Sequence, residues 1–96
     1  MDGIVSFLSN NAWNEKTAVT AKRLGDIFDL QDSTVRAEVA NARKLGIPVC
    51  SCYYGYYIAH EEQGLKKTIE SLQKRIDSQV ETISALREIL DRMMPE

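Results

Sequence analysis

Residues 19–46 read VTAKRLGDIFDLQDSTVRAEVANARKLG, and their pattern predicts two short helices separated by a tight turn. Thr20 is placed to accept hydrogen bonds from the free N–H groups at the start of a helix over residues 21–28. That helix is expected to bury Leu24, Ile27 and Phe28. Asp29 tolerates the left-handed backbone of a tight turn, so we expect the helix to end there.

A further helix is expected to begin near Asp32. Its apolar side chains share one face: Val35, Val39, Ala42 and Leu45. Gly46 is placed as its C-cap. Two short helices joined by a three-residue turn form a helix-turn-helix. Upstream, the spacing of Ile4, Phe7 and Leu8 predicts another short helix that ends at residues 10–11, and residues 17–19 predict a short strand.

The residues after Gly46 predict a small hairpin. Residues 47–53 and 56–59 are β-prone, and Tyr54 with Gly55 between them supplies a tight turn. A hairpin that packs after a helix-turn-helix is a wing. Its tyrosines allow two interpretations: their hydroxyl groups contact DNA phosphates, or alternate rings pack on the core while the others coat the hairpin.

Together these features resemble a known family, the small winged helix-turn-helix proteins of bacteriophages and prophages, whose domain is also similar to that of many bacterial repressors. The resemblance covers roughly residues 15–60. It is carried by VTAKRL (19–24), LQDSTVR (30–36), LGIPVCS (45–51) and GYYIA (55–59). It implies a DNA-binding fold with double-stranded DNA as the partner.

The few basic residues of this domain suggest where DNA is bound. Lys22 and Arg23 occupy a first helical turn, where the helix dipole favours acids, so we assign them to phosphate contacts. The side of the following helix that faces the DNA groove is assigned to Ser33, Thr34, Arg36, Ala37 and Asn41. Arg36 has the donor fork for a guanine, and Asn41 the amide for an adenine. Arg43 and Lys44 are further candidates, although a helix C-terminus favours cations in any case.

Two features favour a protein partner instead. Asp32 places an acid where related sequences often have a base, and the chain has no Lys or Arg between Lys44 and Lys66. The uncharged, tyrosine-rich hairpin could then be an aromatic protein-binding surface.

Residues 65–94 contain no Gly, Pro or aromatic residue and predict one uninterrupted helix. Its seam recurs at alternating spacings of four and three residues: Leu65, Ile69, Leu72, Ile76, Gln79, Ile83, Leu86, Leu90 and Met93. These four heptads, with d at Leu65 and a at Ile69, predict a coiled coil. Val80, Ile89 and Met94 widen the stripe, so a dimer, a trimer and a tetramer all remain open. The alternative is that the helix folds back on its own domain.

The fold class is therefore expected to be mainly α (α+β), with a winged helix-turn-helix domain at residues 1–60 and a coiled-coil oligomerisation helix at 61–96. The formal net charge is −2, and the excess acid lies in the second part, since residues 1–60 hold six basic and six acidic side chains. A near-neutral charge is unlike that of proteins that coat nucleic acid without sequence specificity, which are usually basic. It is compatible with DNA contact through a few well-placed cations.

Other classes of function are disfavoured. No apolar run reaches the length of a membrane span, and the first residues lack a signal peptide, so we expect a cytoplasmic protein in a bacterial host cell. Cys50 and Cys52 are expected to be buried thiols and His60 a linker residue, with no metal and no cofactor. With one histidine and no phosphate-binding loop, we expect no enzymatic activity.

The sequence thus predicts an oligomeric, sequence-specific DNA-binding protein, in particular a phage or prophage transcriptional regulator. The alternatives are a phage assembly or adaptor protein whose winged domain binds protein, and a DNA-recognition component of phage packaging or replication.

Overall fold

The computed structural model describes residues 3–94 and is mainly helical, with a small two-stranded antiparallel sheet and a long C-terminal helix. In chain order the elements are α1 (Gly3–Asn11), a 3-10 turn (Glu15–Thr17), α2 (Ala21–Phe28), α3 (Asp32–Lys44), β1 (Val49–Cys52), β2 (Gly55–Ile58) and α4 (Glu62–Met93). The mainly α class, the short helices, the hairpin and the long helix are therefore confirmed.

The turn between α2 and α3 follows from a few local contacts. Thr20 Oγ1 accepts a hydrogen bond from the Arg23 N–H at 3.1 Å and caps α2, as predicted. Asp29 ends the helix in the left-handed conformation, with φ 57. A Cβ on Gly25 would lie 2.5 Å from the Leu30 carbonyl oxygen. Only glycine therefore lets the chain turn this closely over the end of α2.

Leu45, which was placed on the apolar face of α3, and Ile27, which was expected to be buried, both lie at the surface, so these two predictions are wrong. Leu45 is 80% exposed because it is the C-cap of α3, and Gly46, with φ 95, redirects the chain immediately afterwards. Ile27 is 42% exposed. The side of α2 that packs is that of Phe28, whose ring meets Phe7 of α1 edge-on with centroids 5.9 Å apart, and Ile27 lies to one side of that contact.

The hairpin pairs Val49 with Ile58 and Cys52 with Gly55. Its turn lies at Tyr53 and Tyr54, one position earlier than predicted, and Gly55 begins β2 with φ 125. A Cβ at Gly55 would lie 2.3 Å from the backbone of Val19, so glycine is required here for close approach as well as for its backbone angle.

The short strand that was predicted over residues 17–19 is reduced to one bridge. The Val19 N–H donates to the Tyr56 carbonyl at 2.9 Å, and the Tyr56 N–H donates back to the Val19 carbonyl at 2.8 Å. Thr17 belongs instead to the 3-10 turn, which Asn14 caps. One edge of the hairpin is thereby closed by the segment that leads into α2.

A single apolar core joins the three short helices to the hairpin. Its buried residues are Ile4, Leu8, Ala12, Leu24, Val35, Val39, Ala42, Val49, Cys50, Tyr57 and Ile58. Because these residues come from α1, α2, α3 and both strands, the elements hold one another in place, and the exposed side of α3 has a fixed orientation relative to the hairpin.

The first turns of α4 close the other edge of the hairpin. Thr68 is 4% exposed; its hydroxyl accepts from the Ser51 N–H at 3.1 Å and donates to the Ser51 carbonyl at 3.4 Å. Gly64 lies against Tyr57 and Cys50, and Leu65 and Leu72 are half-buried on the same side. The predicted boundary at residues 60 and 61 falls just before α4, but packing continues across it for about three turns.

The Thr68 hydroxyl is the contact we expect to matter most for this docking. Thr68→Val keeps the shape of the side chain but leaves the Ser51 N–H and carbonyl at the β1 edge without a partner, which should lower the free energy of unfolding by about 1–3 kcal/mol. Urea denaturation measures the change. The matched control is Thr82→Val, because Thr82 is exposed on the same helix and bonds only to the Ser78 carbonyl. Equal losses in the two variants would contradict the assigned role of Thr68.

Candidate nucleic-acid interface

The residues that were assigned to DNA lie on the part of α3 that faces away from the core. Exposed on this helix are Ser33, Thr34, Arg36, Ala37, Asn41 and Lys44, whereas Arg43 is half-buried. Since Val35, Val39 and Ala42 are buried, the core fixes which side of the helix is presented outward. The predicted residues therefore form a continuous surface on one element.

The spacing along α3 divides this surface into two edges. Arg36 and Arg43 are seven residues apart, which is about two turns, so they share one edge. Thr34, Glu38 and Asn41 follow at spacings of four and three and share another edge. Only the first edge is basic. The Glu38 carboxylate makes the second edge less suitable for contact with phosphate.

The basic edge of α3 borders a groove of about 630 Å³ between α3, the hairpin and α4. Thr20 and Ala21 at the start of α2 also line it, so it lies beside the α2–α3 turn unit. Its cationic lining comes from three arginines: Arg36, Arg43 and Arg75. No Asp or Glu is among the described residues that line it. We call this feature the arginine groove.

Arg43 also has a structural role in the arginine groove. Its Nε donates to the Val49 carbonyl at 2.8 Å and its Nη2 to the Ser51 hydroxyl at 3.4 Å. These bonds connect α3 to β1 and hold the guanidinium in one place. Both partners are neutral, so the positive charge of Arg43 is not cancelled by them.

Lys22 and Arg23 lie in the first turn of α2, where both are exposed, but neither lines the arginine groove. Lys22 Nζ lies 3.6 Å from a carboxylate oxygen of Asp26, an exposed pair that contributes little to stability. Such a weak pair is readily exchanged for a phosphate oxygen.

The hairpin ends in two exposed aromatic rings. Tyr53 is 93% and Tyr54 60% exposed, and the rings pack edge-on with centroids 5.2 Å apart. Tyr57 is buried, so the expectation that some tyrosines pack on the core and others coat the hairpin is confirmed. The exposed pair forms an aromatic tip without a cation of its own.

The cysteines and Tyr57 belong to the packing below α4. Cys50 is buried and Cys52 half-buried, and both are free thiols. Burial, with a smaller effect of the neighbouring Cys50, raises the pKa of Tyr57 to about 12. The phenol is therefore neutral at physiological pH and acts as a packing group. Within residues 3–94, no three His, Cys, Asp or Glu side chains are grouped as metal ligands.

The seam residues of α4 have two different environments. Leu65 and Leu72 are half-buried against their own domain. The alternative that the helix folds back on its own domain therefore holds for its first turns only. From Gln73 to Met94 every residue is exposed, including Ile76, Gln79, Ile83, Leu86, Leu90 and Met93 of the predicted seam and the flanking Val80, Ile89 and Met94. Ile69, beside the docked face, is exposed as well. Within the described residues, no helix has both the length and the apolar composition needed to cross a membrane.

Sequence reasoning missed two contributors to the arginine groove. Arg75 was part of the coiled-coil segment, and Ser51 was one residue of a β-prone run. Periodicity gives no indication that α4 packs on β1 and so brings Arg75 to the groove, because that position depends on the contact between Thr68 and Ser51. The one available signal is the charge environment of Arg75, which has no acid three or four residues away.

No family model matches the chain, and no curated protein or solved structure matches it. The site is therefore defined by its own geometry: a helix with one basic edge, a groove whose described lining holds no acid, an aromatic hairpin tip and a long helix with an exposed apolar stripe.

Proposed function

We propose that residues 3–60 form a winged helix-turn-helix domain that binds double-stranded DNA, and that the protein is an oligomeric, sequence-specific DNA-binding protein. The observation that carries this proposal is the outward side of α3, where Arg36 stands at the edge of a groove with no Asp or Glu among its lining residues within 3–94. The more specific role of a phage or prophage transcriptional regulator rests on the sequence resemblance.

In this proposal α3 enters the major groove with its first turns, as second helices of such motifs do. Ser33 and Ala37 are small and exposed, so the helix backbone can approach the bases closely. Arg36 then forks onto the two acceptors of a guanine. Lys22 and Arg23 contact phosphates from the start of α2 and set the position of α3 along the duplex.

The free part of α4 is proposed to join copies of the chain. Residues 73–94 carry an apolar stripe that is exposed to water on a single helix, and self-association buries it. Since Leu65 and Leu72 pack on their own domain, the intermolecular seam begins at Ile76, with Ile69 at its margin. Two linked domains raise each other's effective concentration at paired half-sites, which compensates for the few cations of each domain.

A second candidate is an assembly or adaptor protein whose hairpin tip binds protein. The exposed Tyr53 and Tyr54 favour it, since aromatic side chains are enriched at protein interfaces. Recognition of DNA during phage packaging or replication is a variant of the first proposal. A protein complex that survives purification, together with no retardation of any duplex at low salt, would favour the adaptor.

Replacing Arg36 tests the docking of α3. Arg36→Ala should weaken binding to a selected target duplex by about 1–3 kcal/mol and relax the preference at one base pair. Arg36→Lys should keep the charge without the bidentate fork, so base preference should fall more than overall affinity. Fluorescence anisotropy measures both quantities.

The control for Arg36 is Lys16→Ala, which removes an exposed cation outside the arginine groove. Unchanged affinity and unchanged base preference in Arg36→Ala would show that α3 does not dock as proposed.

Replacing Ile83 tests the self-association of α4. Ile83→Asp places a charge at the centre of the apolar stripe and should shift the protein to monomers in sedimentation equilibrium, with DNA affinity reduced as a consequence. Ser84→Asp adds the same charge one residue along, outside the seam, and should leave the oligomer intact. A monomeric wild-type protein, or an Ile83→Asp variant that stays oligomeric, would contradict the proposed seam.

A further inference from the structure

Arg75 is separated from Arg36 and Arg43 by more than thirty residues, yet it lines the same groove. The docking of α4 explains this position. Thr68 is fixed on β1 by its two hydrogen bonds to Ser51, and Arg75 follows seven residues later, about two turns along the same side of the helix. The contact that anchors α4 therefore also brings Arg75 to the groove that Arg36 and Arg43 line.

The charges in the arginine groove are not balanced by the protein. The ion pairs within 4.0 Å among residues 3–94 are Lys22–Asp26, Lys66–Glu62 and Lys67–Glu15, and none involves a groove arginine. Three guanidinium groups around one concave surface repel one another, and low-dielectric walls strengthen that repulsion. Such a groove favours an anionic ligand.

The surroundings of Arg75 differ from those of the other cations on α4. Every other Lys or Arg of this helix has an Asp or Glu three or four residues away, at the spacing of a helical ion pair: Lys66, Lys67, Lys74, Arg87 and Arg92. Arg75 has Ser71, Leu72, Ser78 and Gln79 at those positions. Its charge therefore remains available to a ligand in the groove.

Arg43 supplies a second, fixed cation. A guanidinium has five N–H donors, and Arg43 uses one on Nε and one on Nη2 for the Val49 carbonyl and the Ser51 hydroxyl. The remaining N–H groups belong to a guanidinium that these bonds hold in place. A group that is already ordered loses little entropy when it binds a phosphate.

The geometry points to a phosphate-binding site in which Arg75 of α4 and Arg43 of α3 hold the DNA backbone next to the base read by Arg36. This inference rests on the proposed DNA-binding function and extends it. The helix that joins the copies is also part of the DNA contact surface. The ligand is a phosphodiester strand, because Arg36, which the proposed function places on a base, lines the same groove as Arg43 and Arg75.

The test uses the full chain and a labelled random-sequence duplex of about two helical turns, since phosphate contacts carry no sequence information. Arg75→Gln should weaken binding on the order of tenfold. The slope of log affinity against log salt, measured between about 50 and 200 mM, should become shallower by about 0.9 for each bound Arg75. The preference for a selected target over the random duplex should stay as in wild type. Arg75→Lys should restore most of the slope.

The matched control is Lys74→Gln, the adjacent cation, which does not line the groove. Sedimentation must show the same oligomer for every variant. If Arg75→Gln binds like Lys74→Gln while Arg36→Ala still loses base preference, the phosphate site is wrong and the proposed function stands. If the wild-type protein binds no duplex at low salt but binds an acidic protein, both are wrong.

Discussion

The pair of hydrogen bonds between Thr68 and Ser51 fixes α4 on the hairpin, and the position of Arg75 in the arginine groove follows from it. Tyr56 of β2 uses its outward N–H and carbonyl on Val19, and Ser51 of β1 uses its own on Thr68, so each edge of a two-stranded sheet has a partner. An isolated hairpin is marginally stable in water. Here it is held between the segment before α2 and the first turns of α4.

This arrangement gives α4 two uses along its length. Its first turns pack on β1 through Gly64, Leu65 and Thr68, and the helix then leaves the domain with its apolar stripe exposed. Arg75 lies at the point where one use gives way to the other. In the proposed complex, the copies therefore begin to associate next to the site where DNA is bound. The association of α4 then fixes the distance between the two DNA-binding domains.

Much of this architecture was predictable because it depends on local chemistry. The cap at Thr20, the left-handed turn at Asp29 and the buried stripe of α3 follow from side chains that act within a few residues of themselves. The exposure of Leu45 could have been anticipated only by weighing its place at the helix end, where periodicity no longer applies.

The arginine groove could not be predicted, because it depends on contacts between residues far apart in the chain. The sequence indicates a heptad pattern over residues 65–93, and it does not indicate that Leu65 and Leu72 serve the domain while Ile76 and Ile83 remain exposed. The free N–H and carbonyl groups at the edge of a two-stranded sheet need hydrogen-bond partners, but many hydroxyl groups of the chain could supply them. Choosing Thr68 requires knowing where α4 lies in three dimensions.

Hydroxyl-radical footprinting of the full chain on a selected target duplex tests whether α3 contacts DNA in domains that α4 holds together. Two protected patches are expected, with centres about 10 base pairs apart or a multiple of that spacing, because both domains approach the same face of the duplex. A single short patch, or no protection under conditions where the protein is oligomeric, would contradict this expectation.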